Sequence, residues 1–196
     1  MAYLKKNYLQ ILLVFFAICG FIAAFTLSIE KLHILQNPNQ VLPCDISSIF
    51  NCQTVMKSPY ANLGNIPYSF FGVAGYPAVI LAGIFLIENP KTNKLITGVL
   101  SIGSLLAFAL STYFMYISSW VIGVFCPWCI LSAISSTAIF FLLQTIFLKH
   151  NSYNFSKNIN QKVQSFLNSN HNVHITLGWY LFIFALSYLP FILAKI

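Results

Sequence analysis

Four of the five cysteines in this chain fall in two close pairs, and cysteine pairs are what disulfide exchange requires. Cys126-Pro127-Trp128-Cys129 is a C-x-x-C motif. Residues i and i+3 share one face of a helix, so these two sulfurs can close a disulfide with little movement. Proline at the first helical position costs nothing, because its missing N–H would be unpaired there anyway. The helix N-terminus favours a thiolate, the reactive form of the side chain. Half of a zinc site is another use of the spacing, but it needs a second C-x-x-C or a His pair. Plain packing of small apolar side chains is a third.

Cys44 and Cys52 lie eight positions apart. On a straight helix that is about 12 Å at 1.5 Å per residue, beyond the roughly 7 Å a disulfide allows between Cα atoms. They pair only if the chain bends, and Asp45, Ser47, Ser48 and Asn51 between them suit a turn or a broken helix. Taken alone, such a pair also suits a static structural disulfide. Cys19 sits among Phe15, Phe16, Ile18 and Phe21, where a lone Cys packs as a small hydrophobe. His171 and His174 could hold a metal, but their polar stretch offers no acidic or Cys partner, and no metal is expected.

The elements that position these residues are membrane helices. Of the 196 residues, 58% are hydrophobic and only 7% charged, and the mean hydropathy is +0.79. A soluble domain carries about 25% charged residues, so an ordinary soluble enzyme, a disordered chain and a nucleic-acid binder are excluded. Apolar runs near the required length of about 20 residues predict spans over about 9–29, 67–87, 95–117, 124–148 and 175–194. The first is too long for the 7–15-residue core of a signal peptide and is read as a retained helix. The expected architecture is a single all-α integral membrane domain over 1–196, a four-helix catalytic bundle plus a fifth transmembrane helix, with an extracytoplasmic redox loop over 30–66.

All ten basic residues are Lys. With the N-terminus cytoplasmic, Lys5, Lys6, Lys91, Lys94, Lys149, Lys157 and Lys162 fall inside, and Lys31, Lys57 and Lys195 outside. That bias follows the positive-inside rule. Both cysteine pairs then face the extracytoplasmic side, which permits disulfides. Two pairs on one side allow a relay of two electrons from the aqueous phase to a lipid-embedded acceptor such as a quinone. Cys129 lies one helical turn deeper than Cys126, about 4.5 Å, so a lipid-soluble acceptor should meet Cys129 and a loop sulfur should meet Cys126. Phe70, Phe71, Tyr76, Phe108, Tyr113, Phe114 and Trp128 could enclose a quinone, or could form lipid-facing surface and interfacial belt.

The ordered set Cys44-Asp45, Cys52, Ser58-Pro59-Tyr60-Ala61, Pro67-Tyr68-Ser69-Phe70-Phe71-Gly72 and Phe125-Cys126-Pro127-Trp128-Cys129 resembles the vitamin K epoxide reductase family in its bacterial form, over about residues 8–148. The Dsb-type quinone reductase carries its C-x-x-C in the first outer loop and the wider pair in the second, the reverse of the order here. The resemblance implies that Cys126 and Cys129 are the active-site pair, with Cys129 next to the quinone (ubiquinone or menaquinone). It implies that Cys44 and Cys52 are the shuttle pair, with Cys52 forming a mixed disulfide with Cys126 and Cys44 meeting the reduced partner. Ser69 falls where the family places a polar residue near the quinone carbonyl, although it also suits a plain helix-start hydroxyl. Ser69, Phe70, Trp128 and Cys129 are the expected quinone contacts.

Family members often carry a thioredoxin-like domain after the fifth helix. This chain stops there, so a separate thioredoxin-fold thiol oxidase is the expected partner. The function expected is reoxidation of that partner at a bacterial cytoplasmic membrane, in support of disulfide bond formation. The alternatives are reduction of a quinone epoxide by the same cysteines, and a transporter subunit with a structural disulfide. The transporter is disfavoured because no internal repeat is visible and the spans lack charge.

Overall fold

A computed structural model describes residues 7–39, 41–64, 66–89 and 92–153, together with 156, 159, 161, 162, 165, 178, 179 and 182. Four long helices carry the fold: α1 (Tyr8–Gln36), α3 (Tyr68–Glu88), α4 (Lys94–Tyr116) and α5 (Pro127–Lys149). A short helix α2 (Cys52–Lys57) lies between α1 and α3, followed by a 3-10 turn (Pro59–Ala61) and a two-residue antiparallel hairpin, β1 (Asn62–Leu63) with β2 (Ile66–Pro67). A π-helical turn, Ile117–Ile122, prolongs α4. Within the expected fifth span, Gly178, Trp179 and Phe182 are helical, and the rest of it lies outside the described residues. The Trp179 ring meets Phe108 of α4 at 5.2 Å.

Each long helix is apolar enough to cross a bilayer, with peak mean hydropathies of 2.6, 2.2, 1.9 and 1.9 in chain order. Their outer faces stay apolar. Phe15, Ile22, Leu81, Val99 and Ile102 are all at least half exposed, and so much uncovered apolar surface has no place on a monomer in water. Five of the polar side chains inside the helices satisfy themselves. Ser28, Ser119, Ser136, Thr137 and Thr145 each donate to a carbonyl four residues back, which spares an apolar medium an unpaired hydroxyl. The protein is an all-α, multi-pass membrane protein.

Helix α1 is the centre, packing against both α3 and α5, while α5 also packs against α4. Its buried face runs Gln10, Leu13, Ala17, Gly20, Ala24, Leu27, Lys31, Ile34, alternating steps of three and four that keep one stripe toward the neighbours. Gly20 is where α3 comes closest, since a Cβ there would land on the Tyr76 ring. Small residues of this kind let membrane helices approach. Tyr76 then reaches across to α5, its hydroxyl donating to Ser132 O at 3.1 Å and meeting Ser132 Oγ at 2.8 Å.

The structure differs from the sequence expectation at two helix ends. α1 continues past residue 29 to Gln36, so Glu30 and Lys31 belong to a helix rather than to the loop expected over 30–66. The physical reason is that the buried stripe of α1 simply continues through Lys31 and Ile34. The second difference is at residue 124: the chain from Gly123 to Cys126 is not helical, and α5 starts at Pro127.

Candidate redox site

The segment after α1 folds back through a tight set of turns. Asp45 organises the first, with its two carboxylate oxygens accepting the Leu42 N–H at 3.1 Å and the Gln53 N–H at 3.0 Å. One oxygen holds the turn that carries Cys44 and the other holds the first turn of α2. The Ser47 hydroxyl accepts from Phe50 N at 3.1 Å and from Ile49 N at 3.3 Å. Asn51 caps α2 by accepting the Thr54 N–H at 2.7 Å. At the other end of α2, the buried Lys31 ammonium donates to Met56 O at 2.6 Å, pairing a carbonyl that a helix C-terminus leaves open. The bend brings the Cys44 and Cys52 Cα atoms to 5.7 Å, and the two are joined in a disulfide.

A second tether sets this disulfide against the C-x-x-C. Phe50 and Phe125 form an isolated parallel bridge: Phe125 N donates to Ile49 O at 2.7 Å and Asn51 N to Phe125 O at 2.9 Å. Phe125 precedes Cys126 by one residue and Phe50 precedes Cys52 by two, so the bridge sets the two cysteines side by side. Cys126 Sγ lies 3.4 Å from Cys52 Sγ. Cys126 is also the N-cap of α5, its sulfur accepting the Cys129 backbone N–H at 3.4 Å, with Pro127 in the first turn.

The sulfurs are dry. Cys44, Cys52 and Cys126 are 5%, 0% and 1% exposed, and they pack with Leu27, Ile34, Leu42 and Met56. Val55, Trp128 and the half-buried Cys129 close the same cluster. One acid enters it. Glu30 Oε2 lies 3.2 Å from Cys44 Sγ, and the Trp128 indole faces the Glu30 carboxyl group.

The sequence profile of the vitamin K epoxide reductase family matches residues 11–144. This chain belongs to that family. No curated protein matches it significantly.

In this vitamin K epoxide reductase family member, the structure gathers Cys44, Cys52, Cys126, Cys129 and Trp128 at one end of the bundle. Ser69 and Phe70 lie in the first turn of α3, with Ser69 half-buried and Phe70 37% exposed. Of the other aromatics considered for a quinone, Phe71 and Tyr113 are exposed, and Tyr76 is buried at the α3–α5 contact. Phe108 stacks on Phe140 at 4.9 Å, and Phe114 meets Tyr68 at 4.6 Å. Cys19 is a free, half-buried cysteine on α1. His171 and His174 lie outside the described residues. Sequence reasoning missed Glu30, having assigned it to the loop. The signal was present: Glu30 stands three positions after Leu27 and four before Ile34, on the apolar stripe itself.

Proposed function

We propose that this protein is a membrane thiol–disulfide oxidoreductase that oxidises a dithiol protein of thioredoxin fold and passes two electrons to a membrane quinone. The observation that carries this reading is the 3.4 Å approach of Cys52 Sγ to Cys126 Sγ. A sulfur of one pair sits within reach of a sulfur of the other, and a static structural disulfide has no need of that neighbour. The family membership supports the same reading.

The steps follow from thiolate attack. A partner thiolate attacks Cys44 Sγ, and Cys52 leaves as a thiolate. Cys52 attacks Cys126 of a Cys126–Cys129 disulfide, and Cys129 leaves. The partner's second thiol closes the partner's own disulfide and frees Cys44. Cys44 then attacks Cys52, restoring the Cys44–Cys52 bond and releasing Cys126. The partner has lost two electrons, and the C-x-x-C pair has gained them. With Cys44 bonded to Cys52 and both Cys126 and Cys129 free, the structure corresponds to this last state. Cys44 is covered here, so the partner's attack needs the turn around it to lift.

The residues around Cys129 fit a quinone, the two-electron acceptor that would allow Cys126 and Cys129 to close again. Cys129 and Trp128 present sulfur and an aromatic ring in the first turn of α5. The Tyr76 hydroxyl and Ser132 place polar hydrogens one turn further into the bundle. Ser69 and Phe70, in the first turn of α3, belong to the proposed contact set. We place both cysteine pairs on the extracytoplasmic side of a bacterial cytoplasmic membrane, with the N-terminus inside.

The test is quinone reduction by the purified chain supplied with a reduced thioredoxin-like donor. Quinol should form in step with donor disulfide, and Cys126→Ala should abolish it. No quinol from the intact chain with this donor would sink the reading.

A further inference from the structure

Glu30 is 7% exposed and sits between the two cysteine pairs. A buried acid is costly unless it is paired, and its neighbour Lys31 is spent on Met56 O. What Glu30 meets instead is sulfur and indole: Cys44 Sγ at 3.2 Å and the facing Trp128 ring. With Cys44 and Cys52 it forms a set of three ligand-type atoms within 4.8 Å. The two sulfurs are bonded to each other, however, so the group reads as an acid beside a disulfide rather than as a metal cage.

We propose that Glu30 is a catalytic residue of the relay, taking the proton from the Cys44 thiol as Cys44 attacks Cys52, and returning it when Cys44 is next set free. This rests on the relay proposed above. In the step concerned, the Cys44–Cys52 bond forms and the Cys52–Cys126 bond breaks. Cys126 leaves with the electron pair as a thiolate, and the proton moves from Cys44 Sγ to Glu30 Oε2. No net oxidation occurs. The leaving thiolate is received by the Cys129 N–H at the start of α5. In the reverse role, protonated Glu30 supplies the proton to Cys44 as the partner departs. The groups that face Glu30 are Cys44 and Asp45 on the segment after α1, and Trp128 and Cys129 on α5. Lys31 flanks it on its own helix.

The experiment compares wild type, Glu30→Gln and Glu30→Asp as full chains in lipid nanodiscs, with reduced thioredoxin as donor and a short-chain ubiquinone as acceptor. Samples are acid-quenched and alkylated, and the Cys52–Cys126 species is quantified by peptide mapping. Glu30→Gln should accumulate that species and slow re-formation of Cys44–Cys52 by about 100-fold near pH 7, the lower range for losing a positioned base. The deficit should shrink by up to about tenfold per pH unit as rising pH ionises the thiol without a base. A deficit of equal size at every pH would mean a structural role and overturn the proposal, as would no deficit at all. Should Glu30→Gln fail to fold, Glu30→Asp carries the test. A carboxylate drawn back from Cys44 should slow the step severalfold while keeping the wild-type pH dependence, and an unchanged rate overturns the proposal. Failure of the relay itself reads differently: Cys129→Ala would then form no Cys52–Cys126 bond even with Glu30 intact.

Discussion

At the first turn of α5, one sulfur serves two neighbours. Cys126 accepts the Cys129 N–H as a helix cap and touches Cys52 across the interface. Removing Cys129 keeps the cap and the contact but takes away the sulfur with which Cys126 otherwise pairs, leaving Cys52 as its only disulfide partner. Cys129→Ala should therefore trap a Cys52–Cys126 bond, visible on a non-reducing gel, and abolish quinone reduction. Cys44→Ala should lose turnover with the protein donor and keep part of it with a small dithiol that reaches Cys126 directly. If Cys44→Ala were inert toward every donor while Cys126→Ala stayed active, the order of the relay would be wrong. Cys19 lies on α1, outside the sulfur cluster. Cys19→Ala should leave oxidase turnover within about twofold of wild type, as expected of a Cys that only packs. A loss as deep as that of Cys129→Ala would overturn the division of the five cysteines.

Elements bring these residues together, and two of them do most of it. The first is α1, whose stripe of steps of three and four carries packing residues along its length and then Glu30 and Lys31 beside the site. Its approach to α3 depends on Gly20, where any Cβ meets the Tyr76 ring. Gly20→Ala should displace that ring, weaken the Tyr76–Ser132 link and cost about 1–3 kcal/mol, as overpacking does. Tm should then fall by several degrees, at roughly 2–4 °C per kcal/mol for a chain of this size; an unchanged Tm would show that the helices can part freely there. The second is the turn that leads from α4 into α5. Gly123, at φ 76°, ends the π-helical turn in the left-handed region that glycine adopts without strain. The Ser118 hydroxyl donates to Val124 O at 2.5 Å, while the Ser118 carbonyl accepts from Gly123 N at 2.9 Å. These bonds deliver Phe125 to its bridge with Phe50, and that bridge sets the distance between the sulfurs.

For the whole molecule, one topology determines whether the site works at all. Both pairs gather at the same end of the bundle, where the N-terminus of α5 meets the segment after α1. We place that end in the oxidising compartment on the Lys distribution. An impermeant thiol reagent should therefore label an introduced cysteine at Asn39 in intact cells and leave one at Lys94 untouched until the membrane is opened. Both positions are exposed. Labelling the other way round would put the disulfides in the reducing compartment and end the oxidase reading.

Much of this was legible in the sequence because the forces concerned are local. Apolar runs of span length gave four of the helices, since a bilayer leaves a backbone little else to form. Pro127 and the C-x-x-C marked the start of α5, and Asp45 with its polar neighbours marked a bend between Cys44 and Cys52. The end of α1 was not legible by composition, because Glu30 and Lys31 read as the edge of a span when only hydropathy is counted. Their burial comes from neighbours on α5 and α2, which a single stretch of sequence does not contain. The quinone contacts expected at Ser69 and Phe70 likewise depend on how α3 faces α5. The family resemblance implied that Cys52 meets Cys126, but the contact itself is made by tertiary structure. It hangs on two backbone hydrogen bonds between Ile49–Asn51 and Phe125, and backbone amides are the same in every residue, so no side-chain pattern announces which of them will pair.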